Sequence, residues 1–196
     1  MTLTEAQIDR YSRQIIVPHV GGRGQERLLA ARILLVGDAR DIEAPLAYLV
    51  GAGVGAIVVR LSGEQSAFAG KISEMRELNP DVAVTIANES QDRVDLALVI
   101  IGSEAARKVA HEILRSVDLR ASVIARLDAP GKIFEIPDAQ SPQTFDAQFG
   151  TRSEAADFIA MLATAETFKL IAGYAENPSR ATIEFDGCET RVRVHP

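Results

Sequence analysis

Residues 36–45, Val-Gly-Asp-Ala-Arg-Asp-Ile-Glu-Ala-Pro, stand where a nucleotide-binding α/β protein carries its phosphate loop, directly after an apolar run. Such a loop is rich in glycine because backbone N–H groups at a helix N-terminus must approach the phosphate closely. Here Gly37 is the single glycine, and Asp38, Asp41 and Glu43 add negative charge. At an effective dielectric constant of about 20, a carboxylate roughly 4 Å from a phosphate charge costs on the order of 4 kcal/mol, enough to abolish micromolar binding. The position favours nucleotide chemistry, and the side chains oppose it.

Composition restricts the classes of protein to consider. The 196 residues carry a net charge of −6 with an isoelectric point near 5.2, so a nucleic-acid surface is not expected. The N-terminus lacks the apolar core of a secretion signal, and no apolar stretch is long enough to span a bilayer. A single cysteine, Cys188, cannot build a disulfide or a thiolate zinc site within one chain. We therefore expect a cytoplasmic protein of one domain.

Strand and helix patterns alternate along the first two thirds of the chain. Thr4 and Gln7 have the spacing of a capping box for a first helix through about Gln14. Glycines 21, 22 and 24 predict a loop, followed by a short helix over residues 26–31. Apolar runs predict strands at residues 32–36, 56–61, 82–87, 96–101, 122–127 and 132–136. Between them we expect helices that begin near Pro45, near residue 67 and after Ser103.

The last third has a different pattern. Residues 141–150 predict a loop, and Ser153 is placed to cap the longest helix, which Gly173 would end. Two β-rich runs, 181–185 and 191–194, flank Asp186-Gly187, a hairpin signal. We predict an α/β fold with a doubly wound, mainly parallel Rossmann-like sheet and a C-terminal antiparallel hairpin. The single domain would comprise N-terminal helices (1–31), a Rossmann-like core (32–136) and the C-terminal helix with its hairpin (151–196).

An ordered set of motifs closely resembles the ThiF/MoeB/HesA family, the bacterial relatives of ubiquitin-activating enzymes. The similar segments follow one another along almost the whole chain, at residues 10–16 (RYSRQII), 24–29 (GQERLL), 32–37 (RILLVG), 52–55 (AGVG), 78–82 (LNPDV), 166–173 (ETFKLIAG) and 185–187 (FDG). The resemblance implies the fold predicted above. It also implies an enzyme that uses ATP to adenylate the C-terminal glycine of a ubiquitin-like protein, often a sulfur carrier.

The chain departs from the family's catalytic pattern at several positions. The family's G-x-G-G-x-G loop is replaced from Gly37 onward, and Arg60 stands where the ribose-binding acid belongs. The segment with an active-site arginine is deleted between Leu61 and Gly70, and Gly102 aligns with the magnesium-binding aspartate. The two C-x-x-C zinc pairs and the catalytic-cysteine loop have no counterpart. These departures predict no catalytic residue and no metal site in this chain.

The resemblance leaves three residues of a vestigial nucleotide site, namely Gly37, Arg13 and Lys71. Lys71 is similar in context to a family lysine. Arg13 matches an arginine that in relatives reaches across a dimer interface into the neighbour's ATP site. Two interpretations of Arg13 remain open. It either completes a partner's site, or it forms a surface ion pair while Tyr11, Ile15 and Ile16 pack the helix; we favour the ion pair.

Other polar candidates have simpler structural explanations. His19, His111 and His195 have no ligand spacing, and Cys188 falls in the predicted hairpin turn. Glu166 and Lys169 are three residues apart and can pair on one helix face. Asp38, Asp41 and Glu43 near a helix start would complement the helix dipole.

The leading hypothesis is a non-catalytic scaffold or regulatory protein with a lost ATP site and no cofactor. It would form a homodimer, or a heterodimer with an active relative, and a ubiquitin-like protein is a further candidate partner. A second hypothesis is an active adenylyltransferase whose site, with ATP and magnesium, is completed by a partner subunit. A third is a binding module whose old nucleotide cleft accepts another ligand, such as a peptide. We expect no nucleic-acid or membrane partner.

Overall fold

One mixed sheet forms the centre of the computed structural model, which describes residues 2–86, 94–116, 119, 121–136, 148–174, 181–185 and 189–194. In chain order its strands are β1 (Arg32–Gly37), β2 (Ala56–Leu61), β3 (Ala83–Ile86), β4 (Leu96–Ile101), β5 (Ala121–Arg126), β6 (Gly131–Ile136), β7 (Ala181–Phe185) and β8 (Thr190–Val194). The described helices are α1 (Glu5–Ile15), α2 (Gly21–Ala30), α3 (Ala39–Ala52), α4 (Ala69–Leu78), α5 (Glu104–Ser116) and α6 (Ala156–Ala172), with a 3₁₀ turn at Ser66–Phe68.

The strand order in the sheet is β3-β2-β1-β4-β5-β6-β7-β8. The first five strands of that order are parallel, and β6, β7 and β8 continue the sheet antiparallel. The predicted doubly wound sheet with its C-terminal hairpin is therefore confirmed, although Asp186, Gly187 and Cys188, for which a turn was predicted, lie outside the described residues. The chain order reverses between β1 and β4, and folds of this kind bind ligands beyond the carboxyl ends of two such strands, a place that we call the crevice.

Both faces of the parallel strands β1, β2, β4 and β5 are largely buried, which explains their continuous apolar runs. One core cluster includes Ile33, Leu35, Ile57 and Leu98 and is covered by α3, α4 and α6. The other includes Leu34, Val36, Val99 and Ile124 and is covered by α5. The strands are thereby held rigidly, and the side chains at their carboxyl ends are positioned by packing on both sides.

The N-terminal helices differ from the sequence expectation in one respect. The capping box of α1 is present, with Gln7 N–H donating to Thr4 Oγ1 at 3.3 Å and Thr4 N–H donating to Gln7 Oε1 at 3.1 Å. The predicted glycine loop, however, is wrong, because α2 begins at Gly21 and contains all three glycines. Gly24 is buried against α6, where a Cβ atom would approach the Ala172 carbonyl oxygen within 3.3 Å. Close packing of two helices, rather than a turn, accounts for this glycine.

Candidate functional site

At the crevice beyond β1 and β4, a helix begins at the place where the family has its phosphate loop. α3 begins at Ala39, two residues after the last residue of β1, and Asp38 occupies the N-cap position. Pro45 was predicted in the first helical turn, and this is wrong, because it is the seventh residue of α3. Alanine, arginine and glutamate are better helix formers than glycine, so the residues that replaced the loop extend the helix toward the strand.

Gly37 ends β1 and is fully enclosed by protein. A Cβ atom at this position would lie 2.7 Å from the Ile100 carbonyl oxygen and 2.7 Å from Cγ2 of Ile42. The glycine is thus required for β4 and α3 to approach β1. This packing accounts for the residue without any ligand, so its assignment to a nucleotide site stays a prediction.

Asp38 is turned away from the N-terminus of its own helix. Its side chain makes no capping hydrogen bond to α3. Instead the Ser62 hydroxyl donates to Asp38 Oδ1, and Ser62 N–H donates to the Gly37 carbonyl at 3.1 Å. The carboxylate therefore stands between the ends of β1 and β2, on the side of the crevice where the resemblance would place a ribose.

Asp41 closes the other side of the crevice. Its side chain is 3% exposed, and its Oδ1 lies 2.7 Å from Nη2 of Arg152 in an ion pair. A Cβ atom on Gly102, the residue after β4, would overlap Oδ2 of Asp41 and lie 3.0 Å from Nη1 of Arg152. The carboxylate of Asp41 consequently fills the space that a side chain at residue 102 would need. At the position resembling the family's magnesium aspartate, the acid now comes from α3.

Arg152 belongs to a segment, residues 148–153, that we call the strap. The strap runs beside the end of β5, with Ala129 N–H donating to the Thr151 carbonyl at 2.8 Å and Ser153 N–H donating to the Leu127 carbonyl at 2.7 Å. The Gln148 carbonyl accepts from Arg126 Nη2 at 2.9 Å. These backbone contacts fix the strap over the crevice independently of Arg152.

Two carboxylates also hold the strap through its backbone. Gly150 N–H donates to Asp128 Oδ2 at 3.0 Å, and Phe149 N–H donates to Glu104 Oε2 at 3.3 Å. Hydrogen bonds from Arg107 and from Phe149 N–H lower the pKa of Glu104 to about 2. Burial alone would raise the pKa of Asp128, but the hydrogen bonds from Arg126 and Gly150 outweigh it and lower that pKa. Both groups are therefore ionised at neutral pH and accept from the strap.

Lys71 lies on α4 and is held by two acids. Its Nζ is 2.8 Å from Glu43 Oε1 and 2.7 Å from Glu74 Oε2. The hydrogen bonds to Glu43 and Glu74 raise its pKa above the ordinary range. Since Glu43 is on α3, the lysine ties α4 to the helix that replaced the phosphate loop. Its assignment to a nucleotide site stays a prediction.

Arg13 is exposed on α1, and the described residues contain no ion pair that involves it. The expected packing of the helix holds only in part, because Tyr11 is buried while Ile16 is 79% exposed. The Tyr11 hydroxyl donates to Asp81 Oδ2 at 3.0 Å, and it accepts from Asn79 Nδ2 at 3.0 Å. Burial is the main cause that raises the pKa of Tyr11 to about 12. The family-like motifs around residues 11 and 79 thus contact each other, apart from the crevice.

The weaker candidates stay dispersed. The His19 ring meets the Tyr174 ring edge-on at 5.3 Å, and Glu166 pairs with Lys169 as their spacing suggested. Cys188 and His195 lie outside the described residues. Among the residues that the structure describes, no group of three or more His, Cys, Asp or Glu side chains could hold a metal ion. No described helix is both long and apolar enough to cross a membrane.

Sequence reasoning missed Arg152 and Asp128. Arg152 is 111 residues from its partner Asp41 in the chain, and no motif connects them. The one available signal was the comparison with the family pattern, in which this chain has an additional acid at residue 41 and lacks the aspartate at residue 102. Since both positions lie at one edge of the sheet, this pair of differences indicates that one carboxylate has replaced the other in the same space. The contact with Arg152 could only be found from the fold.

The sheet order, with its reversal between β1 and β4, defines a Rossmann-like fold. The crystal structure of E. coli MccB with ATP superposes with a TM-score of 0.67 over 99% of this chain and 73% of that chain, at 15% identity, which establishes the fold alone. A SAMP-activating enzyme E1 of Haloferax volcanii is 34% identical over 123 residues, 53% of this chain and 45% of that protein. A sulfur carrier protein adenylyltransferase of Thermus thermophilus is 50% identical over 60 residues, 30% of this chain and 22% of that protein.

The resemblance seen in the sequence is therefore confirmed, since the chain is similar in sequence to an activating enzyme E1 and to a sulfur carrier protein adenylyltransferase, and in fold to MccB. No family model matches it. The chain spans less than half the length of these two curated relatives.

Proposed function

We propose that this chain is a non-catalytic scaffold or regulatory protein of ThiF/MoeB type, in which the adenylation crevice no longer receives ATP. The relatives include proteins named for activating SAMP and for adenylating a sulfur carrier protein. In this proposal the chain has the same fold and the same kind of protein partner as these relatives, but it does not carry out adenylation. The single observation that carries it is the Asp41–Arg152 ion pair, which lies in the crevice at the N-terminal turn of α3.

Charge and space both oppose a nucleotide. The buried Asp41 lies in the N-terminal turn of α3, where backbone N–H groups would meet phosphates, and Asp38 places a second carboxylate beside the ends of β1 and β2. Arg152 neutralises Asp41 from within the chain, so little positive charge is left for a phosphate. Arg40 is exposed on the same turn and offsets only part of the negative charge. On these grounds neither ATP nor magnesium is a cofactor of this chain.

Isothermal titration calorimetry of the chain with Mg-ATP tests the proposal. We expect no saturable binding below about 1 mM, because a single carboxylate near a phosphate removes on the order of 4 kcal/mol. The sulfur carrier protein adenylyltransferase of Thermus thermophilus, titrated under the same conditions, is the positive control. A dissociation constant in the micromolar range for this chain would overturn the non-catalytic assignment.

The retained partner would be a second copy of the chain or an active relative, with a ubiquitin-like protein as a further candidate. One observation favours the alternative in which such a pair is an active adenylyltransferase. Arg13 is exposed, and its guanidinium forms no ion pair with any described residue, so it is available to a neighbouring subunit. An arginine in that position could neutralise the phosphates of a partner's substrate.

Pyrophosphate exchange tests this alternative. The chain is assayed alone and mixed with an active relative, in each case with a ubiquitin-like carrier ending in Gly-Gly. If Arg13 completes the partner's site, the mixture exchanges pyrophosphate faster than the relative alone. Arg13→Ala then lowers the additional exchange rate at least about tenfold. Arg23→Ala, an exposed arginine on α2, is the matched control and leaves the rate unchanged. Equal rates with and without this chain would rule the alternative out.

A further inference from the structure

The crevice is occupied from within the chain by one side chain of the strap. Arg152 extends from the strap so that Nη2 lies 2.7 Å from Asp41 Oδ1 and 3.3 Å from Asp157 Oδ1. Its Nη1 lies over Gly102, within 3.0 Å of the place a Cβ atom would take. The half-buried guanidinium is thus bounded on its inner side by the buried Asp41 carboxylate and the bare backbone of Gly102, and on its outer side by the exposed Asp157.

Asp41 has the properties of a receptor for that cation. The residue is 6% exposed, and its Oδ1 has no aligned hydrogen bond among the described residues. A buried carboxylate requires a positive charge beside it, since burial of an unpaired ion is very costly. The planar, weakly hydrated guanidinium suits such a site better than a compact ammonium does. Gly102 completes the receptor, because any side chain there would displace the Asp41 carboxylate.

The remainder of the strap is held by contacts that do not involve Arg152. Asp128, Glu104 and Arg126 bind the backbone of residues 148–150, and two backbone hydrogen bonds join residues 151 and 153 to the end of β5. Removing the Arg152 side chain therefore leaves the strap in place and empties the position beside Asp41. Mutation of Arg152 therefore tests the role of its side chain beside Asp41 without removing the contacts that hold the strap.

We propose that the crevice is a receptor for a guanidinium group, such as the arginine side chain of a protein partner, and that the strap is a latch that fills it with Arg152. The receptor binds a partner's arginine only when Arg152 leaves. This inference rests on the proposed function, because it gives the former nucleotide crevice a ligand of opposite charge. It identifies Asp41 as the specificity-determining residue of that site.

Chemical rescue tests the receptor. Arg152→Ala is titrated with ethylguanidinium chloride up to about 20 mM while thermal unfolding is followed by circular dichroism. We expect Tm of this variant to rise by about 3 °C as the cation fills the vacated position. Sodium chloride at equal ionic strength leaves Tm unchanged, and wild type, whose receptor is occupied, shows no rise.

The double variant Asp41→Asn/Arg152→Ala is the matched control, since it has the same cavity without the buried charge. If Arg152→Ala does not fold in buffer, the titration is run as refolding, which ethylguanidinium supports in the single variant and not in the double. An equal response of the two variants would overturn the receptor, while the non-catalytic assignment would stand on its own titration. Saturable binding of Mg-ATP by Arg152→Ala would overturn the proposal that the site prefers a cation. It would show instead that Arg152 blocks a nucleotide site.

Discussion

Gly102→Asp is expected to lower the free energy of unfolding by about 4 kcal/mol, although it only restores the acid that the family resemblance places at this position. The new Cβ would overlap Oδ2 of Asp41. Two carboxylates would then share one buried space beside a single guanidinium, and one of them would lack a partner. Urea denaturation of the purified variant measures the loss.

A second substitution distinguishes this mechanism from general disruption. The double variant Asp41→Ala/Gly102→Asp removes the carboxylate of residue 41 and places one at residue 102, so a single carboxylate again lies beside Arg152. We therefore expect it to be more stable than Gly102→Asp alone by about 2 kcal/mol. Gly63→Asp is the matched control, because a Cβ atom on Gly63 has no neighbour within 4 Å, and we expect a change of about 0.5 kcal/mol or less. If the double variant were less stable than the single one, Asp41 and Gly102 would not share the space.

The fold could be predicted because its signals are local. Apolar runs locate the strands, and Thr4, Gly53 and Gly173 mark helix ends through capping and left-handed backbone, with φ of 83° and 76° at the two glycines. The doubly wound, mainly parallel sheet followed from the family resemblance and from the alternation of strands and helices, whereas the order of its strands comes from the structure. These features depend on residues close together in the chain, which is why they are visible in the sequence.

The site could be predicted only in part, because its contacts join distant residues. The sequence indicated that Asp38 and Asp41 oppose a phosphate and lie near a helix start, but it began the helix at Pro45, whereas the structure has Asp38 at the N-cap of α3 and Asp41 in its first turn. The start of α3 was missed because Pro45 was taken as a first-turn signal, whereas packing of α3 on the sheet tolerates a proline within it. The pairing of Asp41 with Arg152 depends on the strap, for which no local pattern exists.

The other large effect is expected at Tyr11, where the two family-like motifs at residues 10–16 and 78–82 meet. Its side chain is 1% exposed, and a Cβ atom on Gly53 would lie 2.6 Å from its ring. Tyr11→Ala should therefore destabilise the protein by about 4 kcal/mol, since it leaves a cavity between α1 and the end of α3. Tyr11→Phe should cost only about 1–2 kcal/mol, the loss of the hydroxyl's bonds to Asn79 and Asp81.

These two variants separate the framework from the crevice. Because the Tyr11 cluster holds α1 by contacts apart from Asp41 and Arg152, Tyr11→Phe should leave ethylguanidinium rescue of Arg152→Ala unchanged when the two substitutions are combined. The same rescue titration in the combined variant measures this, alongside urea denaturation of the single variants. A loss of rescue in the combined variant would show that α1 and the crevice form one coupled unit. Unchanged rescue would mean that the Tyr11 cluster and the crevice are energetically independent, so that substitutions in the crevice do not destabilise the contacts of α1. This independence explains how the family-like motifs at residues 11 and 79 occur together with a crevice that is filled by side chains of the same chain.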